Sequence, residues 1–477
     1  MMDQGDTWPS EKKLPQVSAV RTILSDIARY RRMTFAQMKA RPKSDMLATI
    51  PHPNGQGSLV IGGRANKIFW QLSEMALAES DLRERLETAR VARYLKAELS
   101  NLFIRDGKPI DRTHVDRMIS NAMHQAERAC EDITHYIPCY VSADKEPSEF
   151  EIGPVSFRAA GSFFDIHADE FRRYLSKRDS TDKEEQEAAK HQESLQLFVD
   201  DAKEWFGQFD YVATVTIQRC DPPVSRLRAK RAVDTALDIL RVMLRASHGD
   251  HVTMDSTPRL PLRSASIQRN SKGEIDITLH GSSPSRHLGK QWWAFLNSAE
   301  NKERLAFAGS LIDAITSAQQ QRPLCERLID AMHWFGRGVT EKFPGHRVLN
   351  YVTAIERIVL LPQETPTQTV SVRVGIFCSE DGHSLDPSKQ REIRSIYGVR
   401  SDLLHGRASP FDAVMSKAAY DAVEAAWMTI LRGLDFYQMI DPFNPKADLK
   451  VLGKAFGRLE GIAGVSHSPQ RPRRTRN

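Results

Sequence analysis

Two side chains near the C-terminal end of the chain are of types that could do chemistry together. Arg400 and His405 stand with four residues between them in the run Tyr397-Gly398-Val399-Arg400-Ser401-Asp402-Leu403-Leu404-His405-Gly406. A guanidinium stays cationic at any ordinary pH, and its planar fork matches two phosphate oxygens. An imidazole is the side chain type that gives or takes a proton near neutrality. Together they offer charge stabilisation and a proton carrier, the two things a phosphoryl reaction asks of a protein. The position of the arginine is itself a signal. At roughly 100° per residue, Ile393, Ile396, Tyr397, Leu403 and Leu404 fall in one narrow apolar stripe, with Arg400 in its middle. On a packed face a guanidinium needs a carboxylate, a phosphate or a water-filled cleft.

The elements that must position this pair carry their own boundary signals. Asp386-Pro387 reads as an N-cap followed by proline at the first helical position, and Gly406 as the left-handed residue that ends a helix. A helix is therefore predicted over residues 387 to 404, with His405 at its end. On a regular helix His405 lies about 140° round from Arg400, so the two share a side only if the helix bends or stops. A second helix is predicted over residues 346 to 361, closed by Pro362, with Val348, Tyr351, Val352, Ile355, Ile358 and Val359 on one face. Glu356 lies at the border of that face. It either reaches Arg400 and orients the guanidinium by a bidentate pair, or faces solvent on the helix flank. A third helix, over residues 414 to 440, spaces Ala419, Val423, Ala426, Ile430, Leu434 and Tyr437, and a fourth runs from 323 to 336 through Leu324, Leu328, Ala331 and Phe335. These four make a helical bundle. Val370, Val372, Val374 and Ile376 alternate with polar residues or glycine, which by period alone reads as a strand.

The run from Tyr397 to Gly406, with Tyr351-Val352-Thr353-Ala354-Ile355-Glu356 upstream, resembles the Apea-like branch of the HEPN superfamily, over residues 322 to 440. The resemblance implies an antiparallel helical bundle that forms a homodimer, and a short helix at residues 370 to 376. For many members it also implies a metal-independent endoribonuclease of toxin or anti-phage systems. On that reading the 2′-hydroxyl of RNA attacks the adjacent phosphate, His405 acts as base or acid, and Arg400 stabilises the phosphorane. A second histidine would come from the partner copy. Glu356, Tyr397, Ser401 and Asp402 are supporting residues, and no metal or cofactor is expected. Ser401 stands where many family members carry another polar residue. The rival expectation is a non-catalytic binding module for a nucleotide or a protein, in which Arg400 is a structural partner of Glu356 and His405 only caps a helix. Phe436 and Tyr437, at the end of the third helix, are candidates for part of the dimer interface.

At 477 residues the chain is expected to hold two or three domains. The predicted fold class is α+β: a mixed helical and antiparallel-strand N-terminal region followed by the all-α bundle. The expected segments are 1 to 63, helical with a loop; 64 to 320, α+β; 322 to 440, the bundle; and 446 to 477, a basic, disordered tail. That last stretch carries eight Lys and Arg against two acidic residues, a surplus of +6 equal to the formal charge of the whole chain, with Arg471, Arg473, Arg474 and Arg476 among Pro and Ser. Such a tail either holds RNA phosphates or is simply solvated. No run of about eighteen apolar residues is present, and the N-terminus carries Asp3, Asp6, Glu11, Lys12 and Lys13, a pattern without a membrane span or secretory signal. Five scattered cysteines, Cys130, Cys139, Cys220, Cys325 and Cys378, read as reduced thiols of a cytoplasmic protein.

The first 320 residues name no activity. Pro42, Pro51, Pro53, Gly55, Gly57, Gly62 and Gly63 mark residues 40 to 63 as a loop. Helices are predicted at about 67 to 99, 111 to 133, 183 to 207 and 225 to 246, with strands at 136 to 141, 149 to 157, 210 to 217 and 264 to 279 forming one antiparallel sheet. Several motifs are weaker than they look. Gly57-Ser58-Leu59-Val60-Ile61-Gly62 begins like a phosphate loop, but Gly63-Arg64 stand where Lys and Ser or Thr are required. His248 and His251 flank a glycine with no third ligand nearby. Asp165, His167 and Asp169 beside Phe163 and Phe164 read as surface polar residues, and Arg226, Arg228, Lys230 and Arg231 as a solvated face.

Overall fold

The computed structural model describes residues 16–39, 47–176, 185–254, 264–269, 275–280, 288–289, 291–318 and 322–465, in a mixed α+β arrangement. The N-terminal charges from Asp3 to Lys13, Pro42 and the arginines from Arg471 to Arg476 lie outside them. No helix among the described residues is long and apolar enough to cross a membrane. The chain divides into two compact units, Met1–Ile133 with Ile217–Leu227, and Thr134–Thr216 with Arg228–Asn477. These divisions do not follow the expected cuts at 63 and 320: the strands after residue 133 share a unit with the C-terminal helices.

In the first unit the helices Gln16–Arg31, Gly63–Ala78, Thr88–Leu99 and Arg112–Arg128 enclose a core that includes Val20, Ile23, Phe69, Leu95 and Met118. The single helix expected over residues 67 to 99 is thus two. The stretch expected to be a loop holds an antiparallel hairpin, Ala48–Pro51 with Ser58–Ile61. Pro53, Gly55 and Gly57 lie in its turn, and strands of four residues are too short to show a period beside it. The phosphate-loop lookalike is therefore a strand running into the Gly63–Ala78 helix. The Gly62 N–H donates to an Asp26 carboxylate oxygen at 2.7 Å, so a carboxylate of the chain itself stands where a phosphate would.

The second unit contains most of a five-stranded sheet, in the order Glu149–Ile152, Val155–Ala159, Tyr211–Cys220, Glu131–Tyr140, Thr253–Met254. The segment expected to extend this sheet instead pairs with itself, as the hairpin Ser264–Arg269 with Ile275–His280. Alternation marks a strand but not its partner. The helices expected near 183 to 207 and 225 to 246 are Glu185–Gly207 and Pro222–Met243, the second buried along Ala229, Val233, Ala236, Leu237 and Leu240.

The C-terminal part is all helical: Pro323–Thr340, Pro344–Val359, Pro366–Phe377, Pro387–Leu404, Val414–Met439 and Leu449–Ile462. Four of these begin with proline in the first turn, where its missing N–H costs nothing. The apolar positions named for the second helix are all buried. Residues 370 to 376 are helical, so of the two readings of this stretch the short helix is found and the strand is not; every residue from Val370 to Phe377 is buried, which leaves no amphipathic helical period to be read. What covers one side is Leu449–Ile462, in the stretch expected to be a disordered tail; its Leu452, Phe456 and Leu459 are buried. Arg373, 4 % exposed, donates to Glu364 at 2.7 and 2.8 Å and to Glu460 at 2.7 Å, joining the two helices through a satisfied buried charge.

Candidate functional site

The helix that carries the arginine and histidine spans Pro387–Leu404, with the expected boundaries. Asp386 caps its start by accepting from the N–H groups of Ser388 at 2.8 Å and Lys389 at 3.2 Å. At its end the Gly406 N–H donates to Leu403 O at 3.3 Å and the Arg407 N–H to Asp402 O at 2.8 Å, with Gly406 at φ 68°. This pair of bonds is the Schellman arrangement, which only a residue comfortable in the left-handed region closes without strain.

Ile393, Ile396 and Tyr397 on this helix are buried, whereas Leu404 is 56 % exposed, so the apolar stripe is covered only along its first part. Arg400 sits where the cover ends, with 27 % of its side chain exposed. Its Nη2 lies 3.2 Å from Glu356 Oε1 and 3.3 Å from Oε2. The expected two-nitrogen fork is absent: one nitrogen meets both oxygens, while Nε and Nη1 have no partner among the described residues. The Tyr397 hydroxyl donates to Glu356 Oε1, and the guanidinium carbon lies 5.4 Å from the centre of the Tyr397 ring. Burial, and then the bond to Glu356, push the Tyr397 phenol well above its ordinary range, so it acts as a donor. Glu356 is therefore not a solvent-facing flank residue; Tyr397 and Arg400 hold it from two sides.

His405 is the C-cap of the helix, exposed, and its imidazole makes no hydrogen bond to the described residues. Ser401 and Asp402 are engaged by a residue that sequence reasoning missed: Arg407 Nε donates to Asp402 Oδ1 at 2.8 Å and Arg407 Nη2 to Ser401 Oγ at 3.2 Å. Gly406 turns the chain back, which is what brings Arg407 over the last helical turn. The motif thus offers a partly buried cation with unspent donors and a free imidazole at one helix end.

A second cluster was also missed. Asp234, Asp238 and Arg241 stand at i, i+4 and i+7 on Pro222–Met243, and His333 on Pro323–Thr340 donates toward Asp238 Oδ2 at 3.3 Å with Asp234 Oδ2 at 3.5 Å. Arg241 Nη1 donates to Asp238 Oδ1, and Arg241 Nε to Val252 O at 2.8 Å. The helices meet this closely because Gly336 has no side chain: a Cβ there would lie 1.7 Å from Asp238 Oδ1. Burial, and then the charge of Asp234, raise the Asp238 carboxyl to about 6. Hydrogen bonds to Asp234 and Asp238 raise His333 to about 10. Burial opposes the charge on Asp234, but the bond from His333 and the charge of Arg241 outweigh it and hold its pKa below the usual range. Two carboxylates and a histidine within 4.8 Å of one another are a donor set a divalent cation could use. Arg241 and a protonated His333 already supply the positive charge, so the cluster reads as an internal ion network. Charged residues repeating at helical spacing among Val233, Ala236, Leu237 and Leu240 are the signal that could have found it.

The weaker motifs resolve into structural roles. His251 is buried and its Nε2 donates to Val141 O at 2.7 Å. His167 lies 2.8 Å from Glu170 Oε2, and Asp169 pairs with Arg172 at 2.6 Å. Arg228 donates to the carbonyls of Ile315 at 2.7 Å and Ser317 at 2.8 Å, and Arg231 pairs with Glu326, so this pair is not a solvated face. Burial raises the thiols of Cys325 and Cys378 to about 11, leaving neither poised as a nucleophile. Comparison with protein-family models, with curated proteins and with solved structures found no match for this chain.

Proposed function

We propose that the C-terminal helices form a HEPN-type, metal-independent endoribonuclease that works as a cytoplasmic homodimer in a toxin or anti-phage setting. The observation that carries this reading is the state of Arg400: Glu356 and Tyr397 fix its orientation, and two of its three nitrogens remain unspent beside a partly open surface. A guanidinium so held is preorganised for a phosphate that becomes more negative in the transition state. In the reaction the RNA 2′-oxygen forms a bond to phosphorus while the 5′-oxygen leaves. One imidazole takes the 2′-proton, and a second, His405 of the partner copy, protonates the 5′-oxygen. His405 suits either role because no described residue of its own chain occupies its ring. Ser401 and Asp402, drawn to Arg407, position the turn that carries it and are left without a direct part in proton transfer.

A second reading has one observation in its favour. The Arg400–Glu356 pair is also what a non-catalytic bundle would use to satisfy an arginine on a half-buried face. The two readings separate in an RNA cleavage assay of the wild type beside His405→Ala, with and without EDTA. The nuclease reading expects cleavage that survives chelation and falls by roughly 100-fold or more in the variant. Absence of cleavage in the wild type, or equal cleavage in both proteins, leaves the binding module.

A further inference from the structure

The C-terminal end of the Pro222–Met243 helix opens onto a cavity of about 840 Å³, within the range of small-molecule sites. Its walls include the rings of Trp292, Phe295 and Trp427 and the side chains of Met243 and Leu244. Two arginines border it, and they are in different states. Arg304 is neutralised by Asp435, which it meets with Nε at 2.8 Å and Nη2 at 2.9 Å. Arg245 pairs with no carboxylate among the described residues. Its guanidinium lies 3.9 Å from the centre of the Trp427 ring, and Trp427 is itself held by its Nε1–H donating to Val242 O at 2.9 Å. Stacking leaves the edges of the guanidinium, where all its donors are, open to an anion. The backbone at Arg245 points the same way. It adopts φ 65° and ψ 161°, a combination essentially restricted to glycine. A strained residue that glycine could replace without strain, carrying a cation with no carboxylate among the described residues at the mouth of an aromatic cavity, points to a ligand contact.

We propose that this cavity is a binding site for a small organic anion with an aromatic body of nucleotide size, its anionic group on Arg245 and its ring against Trp292 and Phe295. The shared chemistry is a planar hydrophobic body joined to one phosphate or carboxylate. This assignment stands independently of the nuclease reading, since it uses neither Arg400 nor His405.

Isothermal titration of the full chain with AMP and with 1-naphthoate, each beside its neutral counterpart (adenosine and 1-naphthalenemethanol), tests it. At least one anion is expected to bind with one-to-one stoichiometry and at least about ten-fold more tightly than its neutral form, the loss of one charge-assisted contact. Binding of AMP alone assigns a phosphate monoester, and of 1-naphthoate alone a carboxylate. Arg245→Gly is expected to lose this preference while melting no lower than wild type, because glycine suits the backbone there. Saturable binding of neither anion, equal binding of the neutral forms, or unchanged binding in Arg245→Gly overturns the proposal. So does a variant that loses binding and melts well below wild type, which assigns Arg245 to the scaffold.

Discussion

Glu356 meets Arg400 through a single guanidinium nitrogen, Nη2, at 3.2 and 3.3 Å from its two oxygens, and takes the Tyr397 hydroxyl on Oε1. That arrangement fixes the direction of the guanidinium without consuming it. Arg400→Lys separates the two uses of such a residue. Lysine keeps the charge and can still pair with Glu356, but it has no planar array of donors for a phosphate. A phosphate-binding role expects a protein that melts near wild type and cleaves RNA roughly 100-fold more slowly or worse. Thermal melts with parallel cleavage assays read both quantities. An early melt in a protein without RNase activity withdraws the catalytic assignment.

What was legible in the sequence was local. Asp386, Pro387 and Gly406 announce the motif helix because caps and turns depend on neighbours within a few residues, and Pro323 marks one more helix start in the same way. What was not legible depended on distant partners. Phe436 looked exposed at a helix end; it is 8 % exposed, stacked on Phe456 at 5.1 Å and beside Phe377 at 5.5 Å, and Tyr437 is fully buried. Phe456 belongs to the helix mistaken for a tail, so misreading one segment made the other look free. The argument that singled out Arg400, a cation on an apolar face, applies with more force to Arg241, Arg327 and Arg373, each buried and each satisfied from elsewhere in the chain. Spacing shows that such a residue needs a partner. It does not show whether the partner is a ligand or the protein.

Arg373 provides the stability test of that distinction. Arg373→Leu removes the cation that faces Glu460, whose side chain is 2 % exposed, and so breaks a buried ion pair from one side. Breaking a buried pair from one side costs about 3 to 5 kcal/mol. Urea unfolding of the variant should show a loss of that size, and adding Glu460→Gln should recover part of it. A loss below about 1 kcal/mol, the range of a surface pair, contradicts the packing of Leu449–Ile462 against the bundle.

The Asp234–His333–Asp238 network predicts a pH dependence with a definite sign. The folded-state pKa of His333 is raised from 6.5 to about 10 by its two carboxylate partners. A raised histidine contributes stability that is fully present below its unfolded value and is lost as pH rises through the folded one. Between about pH 6.5 and 10 the wild type should therefore lose stability steadily, and His333→Gln should show a shallower slope over the same window. Asp238, raised to about 6, has its own window at lower pH and leaves this one undisturbed. Melting temperatures across the range decide it: parallel profiles for the two proteins contradict the assignment of a protonated His333.

The composite site needs a second copy, and the turn that follows the motif offers a surface for one. Leu404, Phe411, Val414 and Tyr420 are 56, 72, 60 and 69 % exposed, a set of large apolar side chains on and beside the loop from His405 to Ala413. A two-fold interface sets the same patch of each chain against itself, so docking through this turn would carry each His405 toward its counterpart. Tyr420→Glu combined with Phe411→Asp adds two charges that a self-facing apolar patch does not tolerate. The doubly substituted chain should fold, since both side chains are mostly solvent-exposed in a single copy, and it should run as a monomer in light scattering with little RNA cleavage. Mixing His405→Ala chains with wild type should depress activity further than dilution alone, because each mixed dimer keeps only one of the two imidazoles. A wild-type protein that is strictly monomeric and still cleaves RNA rules out the composite site, and an unchanged dimer in the double variant moves the interface away from this turn.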